Sequence, residues 1–338
     1  MTQNPVALAV LSEAEIADFL PGASLDRLKS LLPNLEFIDP TAGGFGDWPS
    51  LLSQKKPEIL ITAWKTPSLP ESWLNDPGYS LKYLCHFTGT VRKLVPRPFL
   101  ERGLVLTNWG NSISRTVAEC GLLLTLSALR RASSWAIDMH LKGAWKTPAL
   151  VTESLFGRRV GLHGFGNISQ HLARLMQPFE VPIATYSPSV PDSVLESFGV
   201  TRADSLEALF SENNVIVELA AYKPENRHLV SERILRLIPE GGTFVNVGRG
   251  AVVDEAALLK IAREGRLQVA LDVYETEPLP ADSGFRGLPN VTLTPHIGGP
   301  TIDRRQDAGA LGVENIANYL QGKPLEAVVS LSVYDRST

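Results

Sequence analysis

The sequence predicts an α/β protein with two doubly wound parallel sheets, and three observations carry this prediction. Short apolar segments alternate with helical patterns over the first hundred residues, a second alternating series begins at Arg159, and a glycine-rich turn stands at the head of that series. Strand–helix alternation is typical of parallel sheets covered by helices. With 338 residues, the chain is also long enough for two domains.

Buried strands are predicted in the first series because each is a short apolar segment bounded by polar or turn residues. They are Val6–Leu11, Ile59–Thr62, Tyr83–His86 and Val105–Thr107, with a helix over Leu25–Leu32. A long helix is predicted over Ser112–Arg131. Either Ser112 or Ser114 caps its start, and its last two arginines suit the negative end of the helix dipole.

Six strands with intervening helices are predicted from Arg159 onward, which is the arrangement of a doubly wound nucleotide-binding domain. The strands are Val160–His163, Ile183–Tyr186, Val215–Leu219, Thr243–Val247, Val269–Val273 and Val291–Thr294. The helices are Ile168–Met176, Leu206–Phe210, Ser231–Ile238 and Glu255–Glu264. A last helix, Asp303–Leu320, ends before Gly322 and Pro324.

The turn after the first of these six strands has the pattern of a dinucleotide-binding motif. Gly164 permits a tight turn, and Gly166 allows a pyrophosphate to approach the positive N-terminus of the helix at Asn167 and Ile168. Ser169 replaces the third glycine of the motif, where a small residue suits close packing of helix and strand. We therefore expect NAD or NADP to bind here.

The residue that selects between these two cofactors is unusual in this chain. The motif expects an acid at the end of the next strand, where it binds the ribose, but Ser187 stands there. A serine lacks the charge that repels the 2′-phosphate of NADP. Residues 188–201 contain no Lys or Arg, and Arg202 is the next cation. We predict relaxed specificity, with catalytic efficiencies for NADPH and NADH within about tenfold.

Three further motifs place a charged or titratable residue just beyond a predicted strand, at the sheet edge where ligands bind. Arg249 lies within residues 245–254, Glu277 within 271–278, and His296 within 293–301. Together with residues 116–119 and 322–324, these motifs resemble the signatures of the D-isomer-specific 2-hydroxyacid dehydrogenases. The resemblance covers nearly the whole chain.

This resemblance implies a domain organisation and a catalytic set. A flavodoxin-like substrate domain would comprise residues 1–111 and 301–338, with a Rossmann cofactor domain, residues 112–300, inserted into it. His296 would be the acid in reduction and the base in oxidation. Glu277 would stabilise and orient the imidazolium, and Arg249 would hold the substrate carboxylate and polarise the carbonyl.

The same resemblance implies further binding residues. Substrate contacts are expected from the backbone of the loop Thr88, Gly89 and Thr90. Asp272 aligns with the acid that contacts the nicotinamide carboxamide, and further cofactor contacts are expected from Val117, Val247 and Gly248. The loop departs from the commoner form, and for Arg92 and Trp64 both an unusual substrate pocket and ordinary packing stay open.

These residues predict an NAD(P)-dependent oxidoreductase acting on a small D-2-hydroxy or 2-keto acid. Two alternatives stay open: a non-catalytic NAD(H)-sensing scaffold, like the transcriptional corepressors of this fold, and a phosphite oxidoreductase with a similar triad. Glu275 lies close to Glu277, but only Glu277 precedes the proline as in the family that the chain resembles. The remaining histidines are expected to be structural or exposed; they are His86, His140, His163, His171 and His228.

Composition limits the partners. A net charge of −4 gives no electrostatic reason to expect nucleic acid or a membrane. Cys85 and Cys120 each lie in an apolar segment, which indicates buried thiols in a reducing compartment. No targeting segment and no metal-ligand spacing is visible, so we expect a cytoplasmic protein without a metal. The apolar segment Leu122–Leu126 of the long helix favours a homodimer.

Overall fold

A computed structural model of the chain describes residues 4–42, 46–146 and 151–335. It divides the chain into two compact units, the first formed by residues 1–113 and 300–338 and the second by residues 114–299. The second unit is therefore an insertion in the first. The boundaries expected from the sequence lie at 111/112 and 300/301.

The first unit contains a five-stranded parallel sheet. In chain order its elements are β1 (Ala7–Val10), α1 (Glu13–Phe19), α2 (Ala23–Leu31), β2 (Leu35–Ile38), α3 (Trp48–Lys55), β3 (Ile59–Thr62), β4 (Tyr83–His86), α4 (Arg97–Glu101) and β5 (Val105–Thr107). The strand order β2-β1-β3-β4-β5 is that of flavodoxin-like folds. The strand β2 was not predicted, because this edge strand is only half-buried and exposes Glu36 in its middle.

The second unit contains a seven-stranded parallel sheet. Its elements are α5 (Ser114–Arg130), α6 (Ala132–Lys142), β6 (Val160–His163), α7 (Asn167–Met176), β7 (Ile183–Tyr186), α8 (Asp192–Glu196), β8 (Val200–Arg202), α9 (Leu206–Glu212), β9 (Val215–Glu218), α10 (Glu232–Leu235), β10 (Thr243–Asn246), α11 (Glu255–Arg263), β11 (Gln268–Leu271) and β12 (Val291–Leu293). The strand order is β12-β11-β10-β9-β6-β7-β8. The order reverses between β6 and β9, where doubly wound sheets open a ligand crevice.

The predicted doubly wound α/β class is confirmed, but two details of the second unit differ. The sheet has seven strands and not six, because β8 is a three-residue edge strand in which only Val200 is buried. The long helix begins at Ser114 and not at Ser112. The Ser112 hydroxyl donates to the carbonyl of Trp109 at 2.7 Å.

The chain returns to the first unit with α12 (Arg305–Leu320) and α13 (Leu331–Tyr334). Helix α12 packs on α1 and α2. A Cβ atom added at Gly309 would lie 1.7 Å from the carbonyl oxygen of Phe19, so this close approach of α12 to α1 requires glycine. Among the residues that the structure describes, the buried apolar side chains of each unit form two clusters. Within the described residues, no helix has the length and apolar character needed to span a bilayer.

Candidate active site

Three parallel strands deliver the predicted catalytic side chains to one edge of the second sheet. Arg249 follows β10, Glu277 follows β11, and His296 follows β12, and these three strands are consecutive neighbours in the sheet. Because the strands are parallel, their carboxyl ends meet at the same edge. The sheet topology therefore gathers residues that are 47 positions apart in sequence (296−249).

Glu277 and His296 form a direct pair at this edge. His296 Nδ1 donates to Glu277 Oε2 at 2.7 Å, and the other carboxylate oxygen, Oε1, accepts from the backbone N–H of Tyr274 at 3.0 Å. An ionised carboxylate only accepts hydrogen bonds, so it holds the proton on Nδ1 and orients the ring. The pair remains open to solvent, with 49% of the His296 side chain and 35% of the Glu277 side chain exposed.

Arg249 lies beside this pair and is exposed. Its Nη1 donates to the carbonyl of Gly248 at 2.8 Å. Surrounding protein lowers the pKa of Arg249, and the negative charge of Glu277 opposes that shift. Because the residue keeps contact with solvent and starts from a very high pKa, its guanidinium stays charged and can bind a carboxylate through two parallel hydrogen bonds.

Asp272 is buried and fixes the segment that carries His296. Its Oδ1 accepts from the N–H of Ile297 at 2.9 Å and from the hydroxyl of Thr294 at 2.7 Å, and its Oδ2 accepts from the N–H of Gly298 at 2.8 Å. These bonds flank His296, which has a positive φ of 53°. Asp272 thus holds an unfavourable backbone conformation in place. The sequence did not predict this positioning role.

The turn between β6 and α7 is shaped to receive a phosphate group. Gly164 has a φ of +86°, and a Cβ atom added there would lie 3.0 Å from the Cα of Ala220. Gly166 is the N-cap residue of α7, so no side chain covers the N-terminus of this helix. A Cβ atom added at Gly166 would meet no heavy atom within 4 Å. The open N-terminus of α7 therefore fits the pyrophosphate of a dinucleotide.

The other residues expected at the cofactor are placed as follows. Ser169 is buried and donates to the carbonyl of Gly164 at 2.9 Å, so a hydroxyl group replaces the third glycine of the motif. Gly248 lies so close to β9 that an added Cβ atom would be 3.1 Å from the Glu218 carbonyl oxygen. The remaining side chains differ in exposure: Asn167 is exposed, Ile168 and Ser187 are half-buried, and Val117 and Val247 are buried.

The first unit holds the predicted substrate loop, residues 88–90, in a fixed conformation. The Thr88 carbonyl accepts from the N–H of Trp109 at 3.4 Å, and the Gly89 carbonyl accepts from Asn108 Nδ2 at 3.1 Å. The indole of Trp109 lies so close that a Cβ atom at Gly89 would be 2.5 Å from its Nε1. Only glycine fits at residue 89, because any side chain there would clash with this ring.

His86 lies buried beneath that loop. Its Nδ1 is 2.8 Å from the Thr62 hydroxyl, and its Nε2 is 2.6 Å from the Thr88 hydroxyl. Burial lowers the pKa of His86 to about 4. The ring is therefore neutral at pH 7, so one ring nitrogen donates a hydrogen bond and the other accepts one. The sequence predicted a structural or exposed histidine at this position, and His86 is buried.

Glu275 and His163, which are not in the predicted catalytic set, have other partners. Glu275 binds Arg227 at 2.7 Å and His228 at 2.5 Å, and it does not pair with His296. His163 is buried against Glu218, with 2.5 Å between Nδ1 and Oε2. Among the described residues, no group of three or more His, Cys, Asp and Glu side chains is arranged to hold a metal ion.

A doubly wound sheet, an open glycine-rich turn at its switch point and a histidine–carboxylate pair at the same edge are the features of a dinucleotide-dependent oxidoreductase. Comparison with known proteins gives the family. Residues 122–298 match the model of the D-isomer-specific 2-hydroxyacid dehydrogenase NAD-binding domain.

Named relatives and solved structures agree with this match. The chain is 34% identical to a hydroxyphenylpyruvate reductase from Plectranthus scutellarioides, over 67% of this chain and 71% of that protein. It is 32% identical to a D-3-phosphoglycerate dehydrogenase from Methanocaldococcus jannaschii, over 68% of this chain but only 44% of that protein. A solved protein from Thermus thermophilus superposes with a TM-score of 0.76 at 27% identity, covering 96% of this chain and 99% of the other.

The chain therefore belongs to the D-isomer-specific 2-hydroxyacid dehydrogenase family. The predicted family and enzyme class are confirmed: this is an NAD(P)-dependent oxidoreductase that interconverts 2-hydroxy acids and 2-keto acids. Its second unit carries the NAD-binding domain.

Proposed function

We propose that this enzyme reduces a small 2-keto acid to the D-2-hydroxy acid with His296 as proton donor, and that the reverse reaction uses His296 as base. The observation that carries the proposal is the 2.7 Å bond from His296 Nδ1 to Glu277. That bond occupies Nδ1 and leaves Nε2, on the other side of the ring, available to exchange a proton with a ligand.

Each residue has one task in this scheme. Bound NAD(P)H supplies the hydride that reduces the carbonyl carbon. His296 gives the proton from Nε2 to the carbonyl oxygen and is left neutral, while Glu277 stabilises the charged form beforehand. Arg249 pairs with the substrate carboxylate and polarises the carbonyl. The backbone N–H groups of residues 88–90, in the proposed substrate domain, are a further proposed substrate contact.

The cofactor choice is proposed to be relaxed. Ser187 offers no carboxylate against the 2′-phosphate of NADP, and a cation bonded to its loop, Arg202, is paired with the carboxylate of Asp192. A cation balanced by an anion favours neither cofactor strongly. NADH and NADPH are then used with efficiencies within about tenfold of each other.

A panel of 2-keto acids tests this function. Glyoxylate, hydroxypyruvate, pyruvate and hydroxyphenylpyruvate are assayed with NADH and with NADPH, following the absorbance of the reduced cofactor. His296→Ala is the matched control, expected to lose about 10²–10⁴-fold in turnover while cofactor affinity changes little. Binding of NAD(H) without reduction of any keto acid contradicts the proposal and favours a sensing scaffold. NAD⁺ reduction by phosphite in the absence of keto acid turnover favours a phosphite oxidoreductase.

We also propose a cytoplasmic homodimer, but its contact surface is not the segment predicted from the sequence. Cys85 and Cys120 are both free and buried, as suits a reducing compartment. The predicted contact segment, Leu122–Leu126, packs largely into the core of the second unit and exposes mainly Leu123. Helix α6 has no buried residue, and it exposes three large apolar side chains: Ile137, Met139 and Leu141. This helix is the better candidate for the contact.

A further inference from the structure

A cation from the neighbouring strand is bonded into the loop that begins at Ser187. Arg202, the last residue of β8, donates from Nη1 to the Ser187 carbonyl at 2.9 Å and from Nη2 to the Val190 carbonyl at 2.5 Å. Its Nε donates to the Asp192 carboxylate at 2.6 Å. The loop is thus closed onto one guanidinium group.

The sheet register puts this arginine beside the loop. Strand β8 pairs in parallel with β7, with Arg202 opposite Thr185, two residues before Ser187. Its side chain is 32% exposed, so a ligand at the loop can reach it. The bond to Ser187 uses one of the two N–H groups of Nη1, which leaves the other available to a further acceptor.

The loop lies where a dinucleotide-binding domain binds the adenosine ribose, at the carboxyl end of the second strand of the series. An acid at this point selects NAD, and an arginine nearby accommodates the 2′-phosphate of NADP. This chain has Ser187 in place of the acid and has Arg202 bonded to the carbonyl of that same serine. The phosphate would therefore meet a positioned guanidinium and no opposing carboxylate at residue 187.

Asp192 adds an opposing effect. Its carboxylate lies 2.6 Å from the guanidinium and is 71% exposed. The ion pair holds the arginine over the loop, but it also offsets part of the positive charge that a phosphate would meet. An exposed pair of this kind is screened by solvent, so it weakens the attraction without removing it.

We infer that Arg202 is the residue that binds the 2′-phosphate of NADPH, and that Asp192 both positions it and limits its preference for NADPH. This inference rests on the proposed function, because it assumes that the adenosine ribose lies against Ser187. It differs from a purely structural role: a loop clasp supports NADH and NADPH equally, whereas a phosphate contact supports only NADPH.

Binding measurements separate the two roles without use of turnover. NADH and NADPH are titrated by nicotinamide fluorescence, and 5′-AMP and 2′,5′-ADP by calorimetry, against the wild type, Arg202→Gln and Asp192→Asn. In Arg202→Gln, NADPH and 2′,5′-ADP are expected to bind about 10- to 100-fold more weakly, while NADH and 5′-AMP are nearly unaffected. In Asp192→Asn, the affinity for NADPH relative to NADH rises by up to about fivefold.

A matched arginine controls for the loss of surface charge. Arg233 on α10 pairs with Glu207 at 2.8 Å and is exposed, so Arg233→Gln is expected to leave all four affinities unchanged. Equal weakening of NADH and NADPH by Arg202→Gln overturns the inference and makes Arg202 a loop clasp only. An unchanged NADPH affinity also overturns it. A wild type that binds none of the four nucleotides contradicts the proposed function itself, which is a separate outcome.

Discussion

The buried histidine His86 predicts how the free energy of unfolding changes in acid. His86, the last residue of β4, is only 3% exposed, and its ring nitrogens are bonded to the hydroxyls of Thr62 and of Thr88 in the predicted substrate loop. The perturbation is His86→Asn, which keeps a polar amide in the cavity but removes the titrating group. We expect this variant to be less stable than the wild type at pH 7.5, because the wild-type hydrogen bonds are disturbed.

The sign of the pH effect follows from the direction of the shift. Burial lowers the pKa of His86 to about 4, whereas a histidine in the unfolded chain has a pKa of about 6.5. Between these two values the unfolded chain binds more protons than the folded one. The free energy of unfolding therefore falls as the pH falls from about 6.5 to about 4.

The magnitude follows from the same two values. Lowering the pH from 7.5 to 5 costs the wild type about 2 kcal/mol through this one residue, and the full loss below pH 4 is about 3 kcal/mol. His86→Asn lacks this contribution. Its free energy of unfolding should therefore change less than that of the wild type over the same interval, because the two proteins share every other titrating group.

Urea unfolding at pH 7.5 and pH 5, followed by tryptophan fluorescence, measures the difference. Four of the six tryptophans, at positions 48, 64, 73 and 109, lie in the first unit with His86, so the signal reports mainly on that unit. His140→Gln, at an exposed position on α6, is the matched control and should keep the wild-type pH dependence. If His86→Asn and the wild type lose the same free energy of unfolding between the two pH values, burial does not lower the pKa of His86.

Three further predictions concern the site and the assembly. Glu277→Gln should lower turnover by at least about 10²-fold without unfolding the protein, because an amide N–H facing His296 Nδ1 favours the wrong tautomer; circular dichroism and steady-state kinetics check it, and unchanged turnover would contradict it. Ser187→Asp should shift the ratio of catalytic efficiencies toward NADH by more than about tenfold, through charge repulsion and a new ribose contact; an unchanged ratio would mean that residue 187 does not meet the ribose. Leu141→Glu, at an 80% exposed apolar position, should convert a dimer into a monomer in light scattering, and a wild type that is already monomeric removes the dimer proposal.

The sequence by itself determined the fold class and the order of the chemical motifs. Buried strands such as Ile59–Thr62 and Val160–His163 have the bounds predicted for them. They are short, apolar and bounded by turn residues, and this pattern depends only on neighbours along the chain. The pairing of Glu277 with His296 was also predicted, from the family resemblance and not from the residues alone.

The edge strands and the side-chain partners were decided by the tertiary structure. Strands β2 and β8 have no continuous apolar pattern, because each packs against only one neighbouring strand and exposes polar residues. Asp272 bonds to residues 22 to 26 positions away, and Arg202 bonds to Ser187, 15 positions away. Such contacts depend on which strands become neighbours and in which register. Local composition does not contain that information, since only the assembled sheet brings these residues together.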